Sequence, residues 1–210
     1  MMDPGSYVAA TAAYADIFDY PLTIEELGVW CVKKKNRNFR IPLGVVRQGR
    51  YVYVKGRRNI VAKRRKRFLA SKEKWRIARR VGRWLRLVPT IQLVGVTGGL
   101  AMDNVDYKDD IDLFIITKHN WLWTTRLLAT VIVDMLKIRR KPGETDVRNK
   151  ICLNMFMSED ALSIPKQEQD LFAAHEVLQM KPLWEREGIY KKFLMKNKWV
   201  SKFLPNAWNI

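Results

Sequence analysis

The chain has 210 residues, 48% of them hydrophobic and eight of them Trp, with a formal net charge of +18. So much apolar material excludes a disordered chain, and the length fits one or two domains. The charge is regional: residues 31–90 carry 22 Lys or Arg against a single acid, Glu73, while the rest is close to neutral with 17 basic and 20 acidic residues.

Residues 5–20 place Val8, Ala12, Ala15 and Phe18 at helical spacing, with Ser6 as a candidate cap and Pro21 as the stop. Thr23 and Glu26 form a capping-box pattern for a second helix over about 24–32, burying Leu27 and Trp30. Two short helices joined by a tight turn open a helix-turn-helix or winged-helix module. No clear recognition helix follows, because Pro42 and Gly44 interrupt a basic stretch. Tyr51 to Val54, between Gly49 and Gly56, reads as a strand and as one arm of a wing hairpin. A small packing or partner-binding unit is the competing reading of this region.

Residues 61–88 are free of Pro and predict a long helix ended by Pro89. Trp75, Ala78, Gly82 and Leu85, with Ile77, Val81, Trp84 and Val88, make its apolar face. The other face carries Lys63, Arg64, Lys72, Lys74, Arg76, Arg79 and Arg83 among other cations. A charged face is usually just solvated. Here the near absence of acids leaves repulsion that an anionic partner would relieve, and nucleic acid is favoured over anionic lipid. DNA or RNA is therefore expected on the basic region 31–90.

Residues 91–117 read strand, glycine turn, polar connection, strand. The first apolar run ends in Thr97-Gly98-Gly99, and the second is headed by Asp110-Ile111-Asp112. Residues two apart on a strand share a face, so Asp110 and Asp112 project together. A bare Asp-x-Asp often does no more than end an exposed strand. With a diglycine turn upstream, the pair instead reads as a divalent-metal site, since hard cations take carboxylates together with substrate phosphates. Gly98 and Gly99 supply backbone that a phosphate can approach closely.

At these residues the chain resembles the DNA polymerase beta-like nucleotidyltransferase superfamily, whose signature is Gly, then Gly or Ser, about ten residues, then Asp-apolar-Asp-apolar. The match is to Gly98-Gly99 and Asp110-Ile111-Asp112-Leu113 and covers about 20 residues. Asp16-Ile17-Phe18-Asp19-Tyr20-Pro21-Leu22-Thr23 is similar to the same stretch in uncharacterised bacterial and archaeal proteins carrying such a domain. The resemblance implies an α+β fold: a small mixed sheet with flanking helices, preceded by a small basic, winged-helix-like region. It implies transfer of a nucleoside monophosphate from a nucleoside triphosphate to an acceptor, with Mg2+ or Mn2+ on Asp110 and Asp112. The expected divisions are 1–60, winged-helix-like; 61–160, the nucleotidyltransferase core with its leading basic helix; and 161–210, a helical extension. The family also implies a third carboxylate on a later strand. The candidate strand, 150–157, has Asn154 at its centre, which can ligate a metal but cannot act as a base. Glu144 and Asp146, in the loop before it, are the substitutes. A weak or inactive enzyme acting as a nucleic-acid-binding, regulatory or toxin–antitoxin module is the alternative function.

Residues 121–136 predict a helix with Trp121, Leu128, Ile132 and Met135 inward. Arg139-Arg140-Lys141 follow, either reaching a triphosphate or favoured near a helix C-terminus. A helical stretch over 167–180 contains His175, read as structural, and the Trp- and Lys-rich tail packs back on the domain. No membrane span is expected, because the most apolar window holds Arg126 and Asp134. Cys31 and Cys152 read as reduced thiols, and with no signal peptide evident the expected location is the cytoplasm.

Overall fold

A computed structural model describes residues 4–33 and 41–209. The fold is α+β. In chain order its elements are α1 (Pro4–Ile17), β1 (Leu22–Thr23), α2 (Ile24–Trp30), β2 (Val45–Gln48), β3 (Tyr51–Val54), α3 (Asn59–Leu85), β4 (Ile91–Val96), α4 (Gly98–Ala101), β5 (Ile111–Thr117), α5 (Leu122–Met135), β6 (Ile151–Ser158), α6 (Leu171–Gln179), β7 (Lys181–Glu185) and α7 (Ile189–Lys196). Among the described residues no helix is long and apolar enough to cross a membrane.

Contacts divide the chain into two units. The first holds residues 1–66, 167–178 and 198–210, and the second holds 67–166 and 179–197. The divisions run through α3 and return to the first unit twice, so sequence order alone does not trace them.

In the first unit, β1, β3 and β2 form an antiparallel sheet in that order. α1 buries Val8, Ala12 and Ala15, while Phe18, past its end, is exposed. The capping box at α2 is present: Glu26 N donates to Thr23 Oγ1 at 3.2 Å and Thr23 N to Glu26 Oε2 at 2.7 Å. The Asp16-to-Thr23 segment collects cations from the basic region. Arg57 pairs with Asp16 and Asp19, Lys63 with Asp19, and Arg64 with Glu26 while lying 4.1 Å from the Tyr20 ring centroid. Lys63 and Arg64, expected on a face for an anionic partner, are thus paired with carboxylates of this unit. The stretch in which a recognition helix is missing from the sequence, 34–40, lies outside the described residues.

In the second unit the sheet order is β6-β5-β4-β7, with β5 and β6 parallel and β4 antiparallel to both its neighbours. Alternation along β5 sets its two faces. Ile111, Leu113 and Ile115 join one core with Ala78, Val81 and Leu85 of α3 and with Ala129 and Val133 of α5. Phe114 points the other way, its ring 5.3 Å from that of Phe193 on α7. The inward stripe expected on α5 is corrected. Trp121, Leu128 and Met135 are exposed, and Thr125, Ala129 and Val133 are buried instead. Small residues let the helix sit close to the sheet, an arrangement that hydrophobicity alone does not rank. Trp84 likewise leaves the expected apolar face of α3 and is exposed. β7 was not foreseen: Lys181 to Glu185 pair along the edge of β4, and the Trp184 indole donates to the Gly82 carbonyl at 2.7 Å.

Candidate functional site

β4 is buried along its whole length and ends at Val96. The chain then turns through Gly98, whose φ of +61° lies in the left-handed region. A Cβ there would stand 2.9 Å from Oδ2 of Asp112. Glycine is thus required twice at this position, by the backbone and by the carboxylate against it. Gly99 is also confined, since its Cβ would meet the Asn104 carbonyl and Val105 at 3.2 Å. Gly98 opens α4, where the first N–H groups of a helix lack intrahelical acceptors. The Thr97 hydroxyl, one residue earlier, is buried with no hydrogen-bond partner among the described residues.

Asp112 sits between the buried Ile111 and Leu113, and Thr97 N donates to its carbonyl at 3.1 Å, tying the turn to the strand. One ligand atom each from Asp110, Asp112 and Cys152 lie within 4.8 Å of one another. Cys152 arrives because β6 runs parallel to β5 with Cys152 paired to Asp112. The register shifts between Leu113 and Phe114, which pair with Leu153 and Met155, so Asn154 is the extra residue of a bulge and is exposed. The β6 side chain beside the aspartates is therefore Cys152, two residues before the expected Asn154. The parallel register, invisible in the sequence, made that choice. Glu144 pairs with Lys150, and Asp146 accepts from Arg148 N.

Electrostatics follow from this crowding. Burial, then the Asp110 charge, raises the Asp112 carboxyl above the ordinary carboxylate range. Burial and the two aspartates push the Cys152 thiol up to about 11, so it stays protonated and donates to Asp112. Arg140, held beside β6 by its N–H to the Ile151 carbonyl, pairs with Asp110. Of the three consecutive cations expected near a triphosphate, Arg140 reaches the aspartates, while Arg139 pairs with Asp134.

The loop entering β5 is fixed by a residue that the sequence placed on the basic, anion-facing side of α3. Lys74 is fully buried in α3. Its Nζ donates to the carbonyls of Tyr107 at 3.2 Å and Asp109 at 2.5 Å, and to Oδ1 of Asn149 at 3.0 Å. It thereby holds the backbone immediately before Asp110. Of the acids in the connection between α4 and β5, Asp103 accepts from the Trp75 indole at 2.6 Å, and Asp106 and Asp109 are exposed.

The donor set fits a hard divalent cation in part. Two carboxylates converge, and the missing Cβ of Gly98 leaves room against one of them. The third group is a neutral thiol, a poor ligand for Mg2+.

No family model matches the chain, and no curated protein does. A solved structure described as the crystal structure of a toxin-antitoxin with AMP-PNP shares 14% identity with it. The match covers 59% of this chain and 89% of that one, with a TM-score of 0.31, a likeness too weak to argue from.

Proposed function

We propose that the second unit is a nucleotidyltransferase that moves a nucleoside monophosphate from a nucleoside triphosphate to an acceptor hydroxyl. The observation that carries this reading is the convergence of Asp110 and Asp112 beside Gly98, where a Cβ would collide with Asp112. Asp110 and Asp112 are the residues to hold Mg2+ or Mn2+. Such a cation, when bound, neutralises phosphate charge and acidifies the attacking hydroxyl. Gly98 and Gly99 offer backbone N–H groups to phosphate oxygens, and Arg140 offers a guanidinium on the same side. The acceptor oxygen bonds to the α-phosphorus as the bond from that phosphorus to the bridging oxygen breaks, and pyrophosphate leaves. With Cys152 held protonated, removal of the hydroxyl proton falls to the aspartate pair. The chain's work is positioning and charge placement.

The test is equilibrium binding of ATP, GTP, CTP and UTP with and without Mg2+, in the wild-type chain and in Asp112→Asn. Binding that needs the cation in the wild type and loses that dependence in the variant is expected. Identical, cation-independent behaviour of the two would sink the reading.

A second reading rests on the thiol where a third carboxylate is expected and on Arg140 seated against Asp110. Under it the second unit binds nucleotide without turning it over and serves a regulatory, nucleic-acid-binding role. Among the described residues of 4–54 the order helix, strand, helix, hairpin, with its β1-β3-β2 sheet, supports a winged-helix-like first unit and fits that role. Pyrophosphate release in single-turnover mixtures with Mn2+ separates the two readings.

A further inference from the structure

We propose that the slot between α3 and β7 binds a single-stranded polynucleotide, DNA or RNA. Two contiguous cavities of about 600 and 360 Å3, sharing Arg79 and Leu183, lie along this line. One wall is a single stripe of cations, Lys72, Arg76, Arg79, Arg83 and Arg86, at steps of four, three, four and three residues. That spacing stays on one helical face and sets a positive charge about every 5 Å over roughly 21 Å. The opposite wall is β7, with Lys181 adding a sixth cation. The one acid lining the slot, Asp103, is engaged by the Trp75 indole and lies 4.0 Å from Lys181. Among the described residues no other carboxylate lines either cavity, so the stripe lacks a counter-charge from within.

The ligand class follows from what lies among the cations. The Trp75 ring is held by its bond to Asp103, with Arg79 and Lys181 each 5.6 Å from its centroid. Phe68, at the mouth, is 47% exposed, with Lys72 5.2 Å from its ring. Cations in register with aromatic rings match a chain of alternating phosphates and bases. A lipid surface would need a flat or convex face, and this one is a slot. Ring faces set among the cations take unpaired bases, which a duplex keeps stacked and paired within itself. At one end of the slot Lys181 pairs with Val96, the last residue before Thr97 and the glycine turn. Strand binding here does not depend on the nucleotidyl-transfer reading.

The test is fluorescence anisotropy of the full chain with labelled single strands of about 12 nucleotides, as DNA and as RNA, and with the corresponding duplex. Single strands are expected to bind more tightly than duplex. With about five phosphate contacts, affinity should fall roughly 100-fold between 50 and 200 mM salt. Arg79→Gln with Arg83→Gln should weaken binding at least about tenfold and flatten the salt slope. Phe68→Ala should weaken it with the slope unchanged. The control is Lys191→Gln with Lys192→Gln, an equal charge loss on exposed α7 positions, which should leave affinity within about twofold. Equal losses in slot and control pairs, duplex binding as tight as single strand, or phosphatidylserine vesicles bound through the stripe while strands are not, would overturn the proposal. Asp112→Asn should bind strands normally, so failure of the metal–nucleotide test and failure of this one remain distinct results.

Discussion

Nη1 of Arg140 donates to Oδ2 of Asp110 across 2.7 Å, with Asp110 mostly buried and Arg140 half exposed. The guanidinium supplies the positive charge that two adjacent carboxylates need, and it competes for Asp110 with any cation. Arg140→Gln should therefore tighten Mn2+ binding in the absence of nucleotide, by several-fold. It should also weaken nucleoside triphosphate binding, because a phosphate partner is lost. Mn2+ titration followed by electron paramagnetic resonance, beside a nucleotide titration, reads both.

Asp112 carries the cost of the arrangement. Its carboxyl is raised above its ordinary value, so above that value the folded chain retains a proton that the unfolded chain has released. Stability contributed here is lost as pH rises through the folded pKa. Asp112→Asn keeps the shape without the charge and should raise the melting temperature of the metal-free protein at pH 7 by about 2–4 °C, for about 1 kcal/mol. The same variant should lose the thermal shift that Mn2+ gives the wild type. Differential scanning calorimetry with and without Mn2+ decides both points.

Cys152 faces Asp112 across the parallel pair. Cys152→Asp places a third carboxylate there and should tighten Mn2+ binding about tenfold, roughly 1.4 kcal/mol. It should lower the melting temperature without metal, since three like charges then converge. Calorimetric titration is the check, and unchanged affinity would show that the β6 position does not face the cation.

Lys74 should matter out of proportion to its distance from the chemistry. Lys74→Met leaves the carbonyls of Tyr107 and Asp109 and the Asn149 amide oxygen without their shared donor. A loss of about 1–3 kcal/mol in chemical denaturation is expected, because buried acceptors are costly unpaired. Amide exchange should quicken over residues 105–112 before it does elsewhere in the unit.

His175, in the first unit, stacks on Tyr14 with ring centroids 4.4 Å apart, and burial lowers its pKa to about 4. Between that value and the ordinary 6.5, the unfolded chain binds a proton that the folded chain refuses. Stability should be full above about pH 6.5 and fall as pH drops toward 4, by up to about 3 kcal/mol. His175→Phe keeps a ring on Tyr14 and should flatten this part of the urea-denaturation pH profile.

The local grammar of the chain was legible in the residues themselves. The Thr23–Glu26 box, the all-buried β4, the glycine turn and the two aspartates on one side of β5 depend on neighbours within a few positions, which propensity and periodicity report directly. Three features depended on the tertiary structure. Parallel pairing of β5 with β6, and its bulge at Asn154, brought Cys152 to Asp112, and strand register is a long-range property that no local pattern encodes. α3, read as a helix with a basic face for an anionic partner, was sorted by packing: Lys74 went into the interior because three oxygens waited for it, while Lys72, Arg76, Arg79 and Arg83 were left facing a slot. That slot exists because β7, unannounced by any strong strand pattern, paired with the free edge of β4. Sequence thus determined which side chains could do chemistry. Folding decided which of them meet, because meeting is set by strand order and helix packing across residues far apart in the chain.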